Sequence, residues 1–145
     1  MIQLILHLWG DYLTQSHWMS VEKTKRWWPA LLHSTIYSLP FFLIGSWKAV
    51  LVIWSTHVII DRFRVARYVV WAKNFLGPRN VKCSSHHSSC QCGYCLYALG
   101  RNHPWIECSA TGYHKDVPAW LSTWLMILAD NTLHLTINYL ALAYL

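Results

Sequence analysis

Seven ionisable side chains interrupt the most apolar segments of this 145-residue sequence. Six of them form pairs four residues apart, and a single histidine stands alone: His7 with Asp11, His57 with Asp61, Asp130 with His134, and His33. On an α-helix, residues i and i+4 lie one turn apart on the same face, so each pair can reach one ligand. Imidazole nitrogens and carboxylate oxygens are the donors that zinc, manganese and similar divalent ions accept. The pattern therefore predicts a divalent metal centre to which all seven side chains contribute.

The chemistry expected of such a centre is hydrolysis. Seven donors exceed the four that one tetrahedral zinc needs, so the sequence allows one ion or two, with an aspartate bridging a pair. Metal ions of this kind activate water and stabilise an anionic transition state. We expect Asp61 or Asp130 to serve as the general base, and His33 as a further ligand or a proton donor. Four polar residues on the same faces are expected to hold the ligands in place: Gln15, Tyr37, Asn131 and Asn138.

The composition determines which elements would position these residues. The sequence is 54% hydrophobic and only 12% charged, against roughly 25% charged residues in ordinary soluble domains. It contains four apolar segments, 1–16, 29–46, 47–72 and 118–145, and about 20 helical residues suffice to cross a bilayer. The sequence therefore predicts an all-α integral membrane bundle of four transmembrane helices, forming one domain over 1–145, with the third segment continuing as one long helix beyond the membrane.

The basic residues predict an orientation. Eleven of the twelve Lys and Arg residues lie on one side of the predicted membrane, in the connectors 17–28 and 73–117 and at the end of the third segment. Only Lys48 lies on the other side. By the positive-inside rule, the basic loops are expected to be cytoplasmic and both termini outside. The formal charge of +6 then indicates attraction to anionic membrane lipids or to a phosphate-bearing substrate. Nucleic acid is not expected as a partner, and the sequence does not indicate an oligomeric state.

Two arginines follow the predicted metal ligand Asp61 along the third segment. Arg62 and Arg64 could grip a lipid phosphate through their planar guanidinium groups, so we predict both as substrate-binding residues. For Arg64, as for the nearby Arg67, ordinary anchoring at the membrane edge explains the residue equally well.

A cysteine-rich insert separates the third and fourth segments, over 75–117. The Cys92-x-x-Cys95 spacing is that of structural zinc sites. Cys90 and Cys108 are predicted to complete such a site, in competition with Cys83 and neighbouring histidines. Two alternatives stay open, namely cysteines without a ligand in a loop, and disulfides if the loop lies outside the cell.

Four stretches of the sequence carry a resemblance to a known family: HLWGDYLTQSHWM (7–19), LLHSTIYSLPF (31–41), HVIIDRFRVARYVVWAKN (57–74) and the C-terminal segment 111–145. They resemble a family of small bacterial and phage integral-membrane proteins of unknown function. That family is in turn loosely similar to inner-membrane metal-dependent hydrolases, which also carry His and Asp on transmembrane helices. The resemblance implies a multi-pass protein of the bacterial inner membrane and, by analogy alone, membrane metallohydrolase chemistry.

The sequence thus predicts a membrane-embedded metal-dependent hydrolase that acts on a lipid-borne phosphoester or related ester. Two other functions use the same residues. A divalent-cation or proton transporter or channel would use them as a pathway. A non-catalytic phage membrane exclusion factor would use them only to fix helix packing.

Overall fold

The computed structural model describes residues 1–76, 104–115 and 117–145. The described chain is mostly helical, as predicted, and it divides into two compact units. Unit 1 consists of Met1–Val65 and Asp130–Leu145, and unit 2 consists of Ala66–Ala129. All seven predicted bundle ligands belong to unit 1, so this unit determines the chemistry.

Unit 1 is built from short helices and the last part of a long one. They are α1 (Ile2–Leu8), which continues as a π-helical turn (Trp9–Leu13); α2 (His17–Glu22); α3 (Trp27–Ser38), followed by a 3₁₀ helix (Leu39–Leu43); α4 (Trp47–Phe63); and the part of the C-terminal helix that begins at Asp130. Two serine hydroxyls cap these helices. Ser16 accepts the backbone N–H of Met19 at the start of α2, and Ser46 accepts that of Ala49 at the start of α4.

The segment 47–72 is not the single long helix that the sequence predicted. Helix α4 ends at Arg64, whose φ of 51° and ψ of 50° place it in the left-handed region, and α5 (Val65–Phe75) begins immediately after it. A left-handed residue closes a helix because it turns the chain out of the helical path. Nothing in the sequence marks this break, since the residue is not a glycine.

No helix in the described ranges combines the length and the apolar character needed to cross a lipid bilayer. The predicted integral membrane bundle of four transmembrane helices is therefore wrong. Its first three segments are divided into helices of 7 to 17 residues. The C-terminal helix (Ala119–Tyr144) has 26 residues, but polar side chains recur along it. The same finding overturns the predicted bacterial inner-membrane location, with its outside termini and cytoplasmic basic loops, and the membrane and lipid assignments that depended on it.

The apolar core of unit 1 lies next to the predicted ligands. Its buried members are Leu6, Tyr37, Phe41, Ala49, Val50, Ile53 and Ala141. Gly10 permits α1 and α3 to approach closely, because a Cβ atom at this position would lie 2.5 Å from Cδ2 of the Tyr37 ring. The absence of a side chain at residue 10 thus lets the Tyr37 ring pack between Gly10 and His57, one of the predicted ligands.

Unit 2 contains most of α5, a 3₁₀ turn (Trp105–Glu107) and the first part of the C-terminal helix, which we call α6 (Ala119–Tyr144). Its small core consists of Val70, Tyr113 and Val117. Of the predicted zinc ligands in the insert, Cys90, Cys92 and Cys95 lie outside the described residues. Cys108 is half-buried and pairs with His114 in an isolated antiparallel bridge. The predicted structural zinc site stays a prediction.

Candidate metal centre

Four helical segments of unit 1 bring His and Asp side chains together. The π-helical turn contributes Asp11, α3 contributes His33, α4 contributes His57 and Asp61, and α6 contributes Asp130 and His134. The i, i+4 spacing places both members of the α4 pair on one face, with Nε2 of His57 3.1 Å from Oδ2 of Asp61. The convergence that the sequence predicted is present, and these buried groups could hold a metal ion.

The inner part of the cluster consists of Nε2 of His33 and His57, Oδ1 of Asp11 and Oδ2 of Asp61. The two imidazole nitrogens are 3.0 Å apart. His33 lies 3.2 Å from Asp11 and 3.3 Å from Asp61, and His57 lies 3.5 Å and 3.1 Å from the same two oxygens. Donors bound to an ion at 2.0–2.1 Å are separated by about 3.3 Å in a tetrahedron and about 3.0 Å in an octahedron. All five distances match this spacing.

The rings of His33 and His57 are oriented so that Nε2 makes every polar contact described for them. Among the described residues, neither Nδ1 atom has a hydrogen-bond partner, and Oδ1 of Asp11 has none either, although it lies within 3.5 Å of both Nε2 atoms. Oδ1 of Asp11 is thus an acceptor without a hydrogen bond that a cation beside the two Nε2 atoms would satisfy.

A second group of donors overlaps the first. His57 and Asp61 form a triad with His134, and His57 also belongs to the triad with Asp11 and His33. An imidazole nitrogen has one lone pair, so both triads cannot bind separate ions through Nε2 of His57. Asp130 lies at the edge of the second triad, with Oδ2 3.8 Å from Nε2 of His134.

His7, a predicted ligand, has a different position in the structure. Its Nε2 lies 2.8 Å from Oδ1 of Asn131, and its Nδ1 lies 2.7 Å from the hydroxyl of Tyr37. Because an amide oxygen only accepts, Nε2 carries the proton and Nδ1 accepts the Tyr37 hydroxyl, which in turn accepts Nδ2 of Asn138 at 2.6 Å. The Tyr37 ring stacks on His57 at 3.7 Å between centroids. His7 thus holds the ring that packs against His57, a predicted metal ligand.

Lys23 is a member of the cluster that the sequence did not reveal. Its Nζ donates to Oδ2 of Asp61 at 2.8 Å and to Oε1 of Gln15 at 2.7 Å. In the sequence it is one of several basic residues in a polar connector. Its place at Asp61 depends on how the connector after α2 packs against the end of α4, which no local pattern indicates.

The predicted substrate-binding arginines lie beside the same connector. Arg62 donates from Nη1 to the carbonyl oxygen of Thr24 at 2.5 Å and from Nη2 to that of Lys25 at 3.2 Å. Its guanidinium group also lies over the ring of Trp27. Arg64 is the left-handed residue that ends α4. Their role in binding a substrate stays a prediction, whereas the contacts of Arg62 fix the chain that carries Lys23.

Burial is the largest influence on the ionisation of the cluster, and the neighbours oppose it. Burial would raise the pKa of Asp61, yet the adjacent histidines hold that pKa well below its usual range. Burial lowers the pKa of His57 to about 4 despite the nearby Asp61. For His33 and His134, burial also acts to lower the pKa, but the carboxylates outweigh it and the pKa of each is raised. The cluster therefore contains anionic Asp61, neutral His57 and two histidines with increased proton affinity.

The side chains of the cluster are buried to different degrees. The side chains of His33, His57 and His134 are at most 2% exposed, whereas those of Asp11, Lys23 and Asp130 are 13%, 15% and 33% exposed. Burial raises the pKa of Asp130. Solvent therefore reaches the cluster at these last three residues, and the histidines lie beneath them.

Comparisons with known proteins locate the chain in one family. The family model described as "Protein of unknown function (DUF3307)" matches residues 1–82. This range includes Asp11, Lys23, His33, His57 and Asp61, while Asp130 and His134 lie beyond it. No curated protein and no solved structure matches the chain. Since the match covers more than half of the sequence, the chain belongs to the DUF3307 family of proteins of unknown function.

Proposed function

We propose that this protein binds one divalent metal ion in unit 1 and uses it to hydrolyse a phosphoester or related ester. Asp11, His33, His57 and Asp61 are the ligands in this proposal. The observation that carries it is the set of five donor–donor distances between 3.0 and 3.5 Å, made by buried side chains from three separate helical segments. Ligands of this type suit zinc or manganese.

The charges of the cluster favour one ion over two. The cluster has a formal charge of −2, which comes from three carboxylates and one ammonium group: Asp11, Asp61, Asp130 and Lys23. One divalent ion neutralises this charge, whereas two would leave an excess of +2 in a mostly buried site, where unpaired charge is expensive. The shared His57 supports the same stoichiometry.

Asp130 has the properties of a general base. It is the most exposed of the three carboxylates, it lies 3.8 Å from His134, and burial raises its pKa. In the proposed reaction, water attacks the phosphorus atom and Asp130 takes a proton from that water. The bond to the leaving oxygen breaks, and Asp130 returns the proton to the alkoxide. A divalent ion held by Asp11, His33, His57 and Asp61 would supply a Lewis acid that lowers the pKa of the water and stabilises the charge that develops.

The test is hydrolysis of a chromogenic phosphate ester by purified protein with and without Mn²⁺ or Zn²⁺. We expect metal-dependent turnover that falls by about a hundredfold or more in Asp130→Asn, the usual contribution of a general base. In the same variant the bound metal should persist, because Asp130 is not among the four proposed ligands. Metal binding without hydrolysis of phosphate or carboxylate esters would refute the hydrolase proposal and leave the metal site.

A purely structural role is the second candidate function. The network of His7, Tyr37, Asn131 and Asn138 favours it, because these polar groups satisfy one another without an ion. The inner cluster differs, since Oδ1 of Asp11, a proposed ligand atom, has no hydrogen-bond partner among the described residues. A buried polar atom without a partner costs about 1–3 kcal/mol, and an ion bound to this oxygen would remove that cost. Absence of bound metal in purified, metal-equilibrated protein would favour this candidate.

A further inference from the structure

The ammonium group of Lys23 is held against the cluster by two contacts, and the side chain remains 15% exposed. Nζ donates to Oδ2 of Asp61 at 2.8 Å, and this oxygen is the one that also faces His33 and His57. Its second partner is Oε1 of Gln15, at 2.7 Å. An ammonium group has three N–H donors, and the described partners use two of them.

The backbone that carries Lys23 is fixed by the neighbour of Asp61. Arg62 donates to the carbonyl oxygens of Thr24 and Lys25, the two residues after Lys23. Asp61 and Arg62, which are adjacent in α4, therefore hold the connector at two points. Asp61 binds the ammonium group of Lys23, and Arg62 binds the main chain of the two residues that follow Lys23. A lysine that served only as a surface charge would not need this second attachment.

The positive charge of Lys23 would be unfavourable if the cluster served only to bind a cation. A positive side chain this close to a ligand oxygen repels a divalent ion and weakens its binding. The charge is useful when the ion also binds an anion, since a negative oxygen bound to the ion beside Lys23 would meet both positive charges. Lysine acts as a point charge for phosphate in this way.

We propose that Lys23 is the oxyanion-binding residue of this metal site, positioned by Gln15, and that the ligand recognised there is a phosphate or phosphoester dianion bound at the metal ion. This inference rests on the proposed metal site. It goes beyond the proposed function because it assigns the charge of the ligand and the residue that selects it. A neutral carboxyl ester would gain nothing from Lys23.

The experiment uses the full chain loaded with Mn²⁺ and titrated with inorganic phosphate. Manganese suits carboxylate and imidazole ligands and has little preference for thiolates, so it limits interference from the cysteine-rich insert. Binding of Mn²⁺ is followed by electron paramagnetic resonance. Binding of phosphate is followed by the ³¹P relaxation that a paramagnetic ion causes only at close range. The two readouts separate the metal site from the anion site.

For Lys23→Met we expect Mn²⁺ affinity equal to or greater than that of the unchanged protein, and phosphate affinity lower by about tenfold to a hundredfold, the usual effect of losing a charge-assisted hydrogen bond. Lys23→Arg should recover part of the phosphate affinity. Lys25→Met is the matched control, because Lys25 is mostly exposed and pairs with Glu22 on the surface. Its phosphate affinity should stay within about twofold, since an exposed charge contributes little.

Three results would overturn the inference while leaving the metal site intact. They are Mn²⁺ binding without any enhanced ³¹P relaxation in the unchanged protein, a phosphate affinity of Lys23→Met within twofold of the original, and a loss of Mn²⁺ affinity in Lys23→Met as large as in Asp61→Asn. The last would show that Lys23 only supports Asp61. Failure of the unchanged protein to bind Mn²⁺ would overturn the proposed function and this inference together.

Discussion

Replacing Asp61 by asparagine should abolish the stabilisation that a divalent ion gives this protein. The substitution keeps the size of the side chain and removes one negative charge that lies 3.1 Å from His57 and 3.3 Å from His33. Unit charges about 4 Å apart interact by about 4 kcal/mol at an effective dielectric constant of 20. A divalent ion doubles this attraction, and the lost solvation of the carboxylate opposes it. We therefore expect the substitution to weaken metal binding by about 4 kcal/mol, or about a thousandfold in Kd.

The assay is thermal unfolding with Mn²⁺ at about 100 times the Kd of the unchanged protein. Binding to the folded state alone adds about 2.7 kcal/mol at this concentration, which corresponds to a rise in Tm of about 8 °C for a chain of this size. In Asp61→Asn the same concentration is about a tenth of the new Kd, so the rise should be less than about 0.5 °C.

Glu22→Gln is the matched control for this experiment. It removes the same charge, but the ion pairs described for Glu22 are with Lys25 and Arg26. The control should keep the full rise in Tm. An Asp61→Asn protein that gains as much stability from Mn²⁺ as the control would refute the assignment of this carboxylate. If Asp61→Asn does not fold without metal, His33→Gln provides the same comparison without disturbing the contact with Lys23.

Three further predictions concern the surroundings of the site. Metal affinity should fall as the pH is lowered from 7.5 to 5.5, because the carboxylates raise the pKa of His33 and His134 and bound protons compete with the ion. Calorimetry in buffers of different ionisation enthalpy would measure the protons released on binding, and a pH-independent affinity would contradict this prediction. His7→Gln should weaken metal binding by only about 10–100-fold and keep the metal-to-protein ratio at saturation, since His7 supports the Tyr37 ring and is not a proposed ligand. Loss of the ion at saturation would instead identify His7 as a ligand. Gly10→Ala should lower the free energy of unfolding by about 1–3 kcal/mol in urea titration, because its Cβ would meet the buried Tyr37 ring, and an unchanged midpoint would show that the ring can move.

The sequence predicted the members of the cluster better than the architecture around it. The i, i+4 pairs on α4 and α6 were visible because helical spacing is a local property. The isolated His33 was found because a polar residue in an apolar segment stands out. Two interruptions were missed or underestimated: the 3₁₀ helix that contains Pro40, and the left-handed Arg64. They divide the segments 29–46 and 47–72, whose composition alone suggested membrane spans.

Tertiary contacts decided what sequence spacing could not. His7 and His57 have the same i, i+4 relation to an aspartate, yet Tyr37 and Asn131 take both nitrogens of His7. Lys23 reaches Asp61 across 38 positions of sequence. Contacts of this kind depend on how helices pack, so a single sequence carries little signal for them.

Metal content compared between the unchanged protein and His57→Gln is the most direct test of the central claim. His57 belongs to both triads, so its loss should empty the site whichever triad binds. Both proteins would be equilibrated with Zn²⁺, freed of excess metal and analysed by mass spectrometry for zinc per chain. The difference cancels any zinc bound by the cysteine-rich insert. The account predicts that the unchanged protein holds one more zinc ion per chain than His57→Gln, and equal metal content in the two proteins would contradict it.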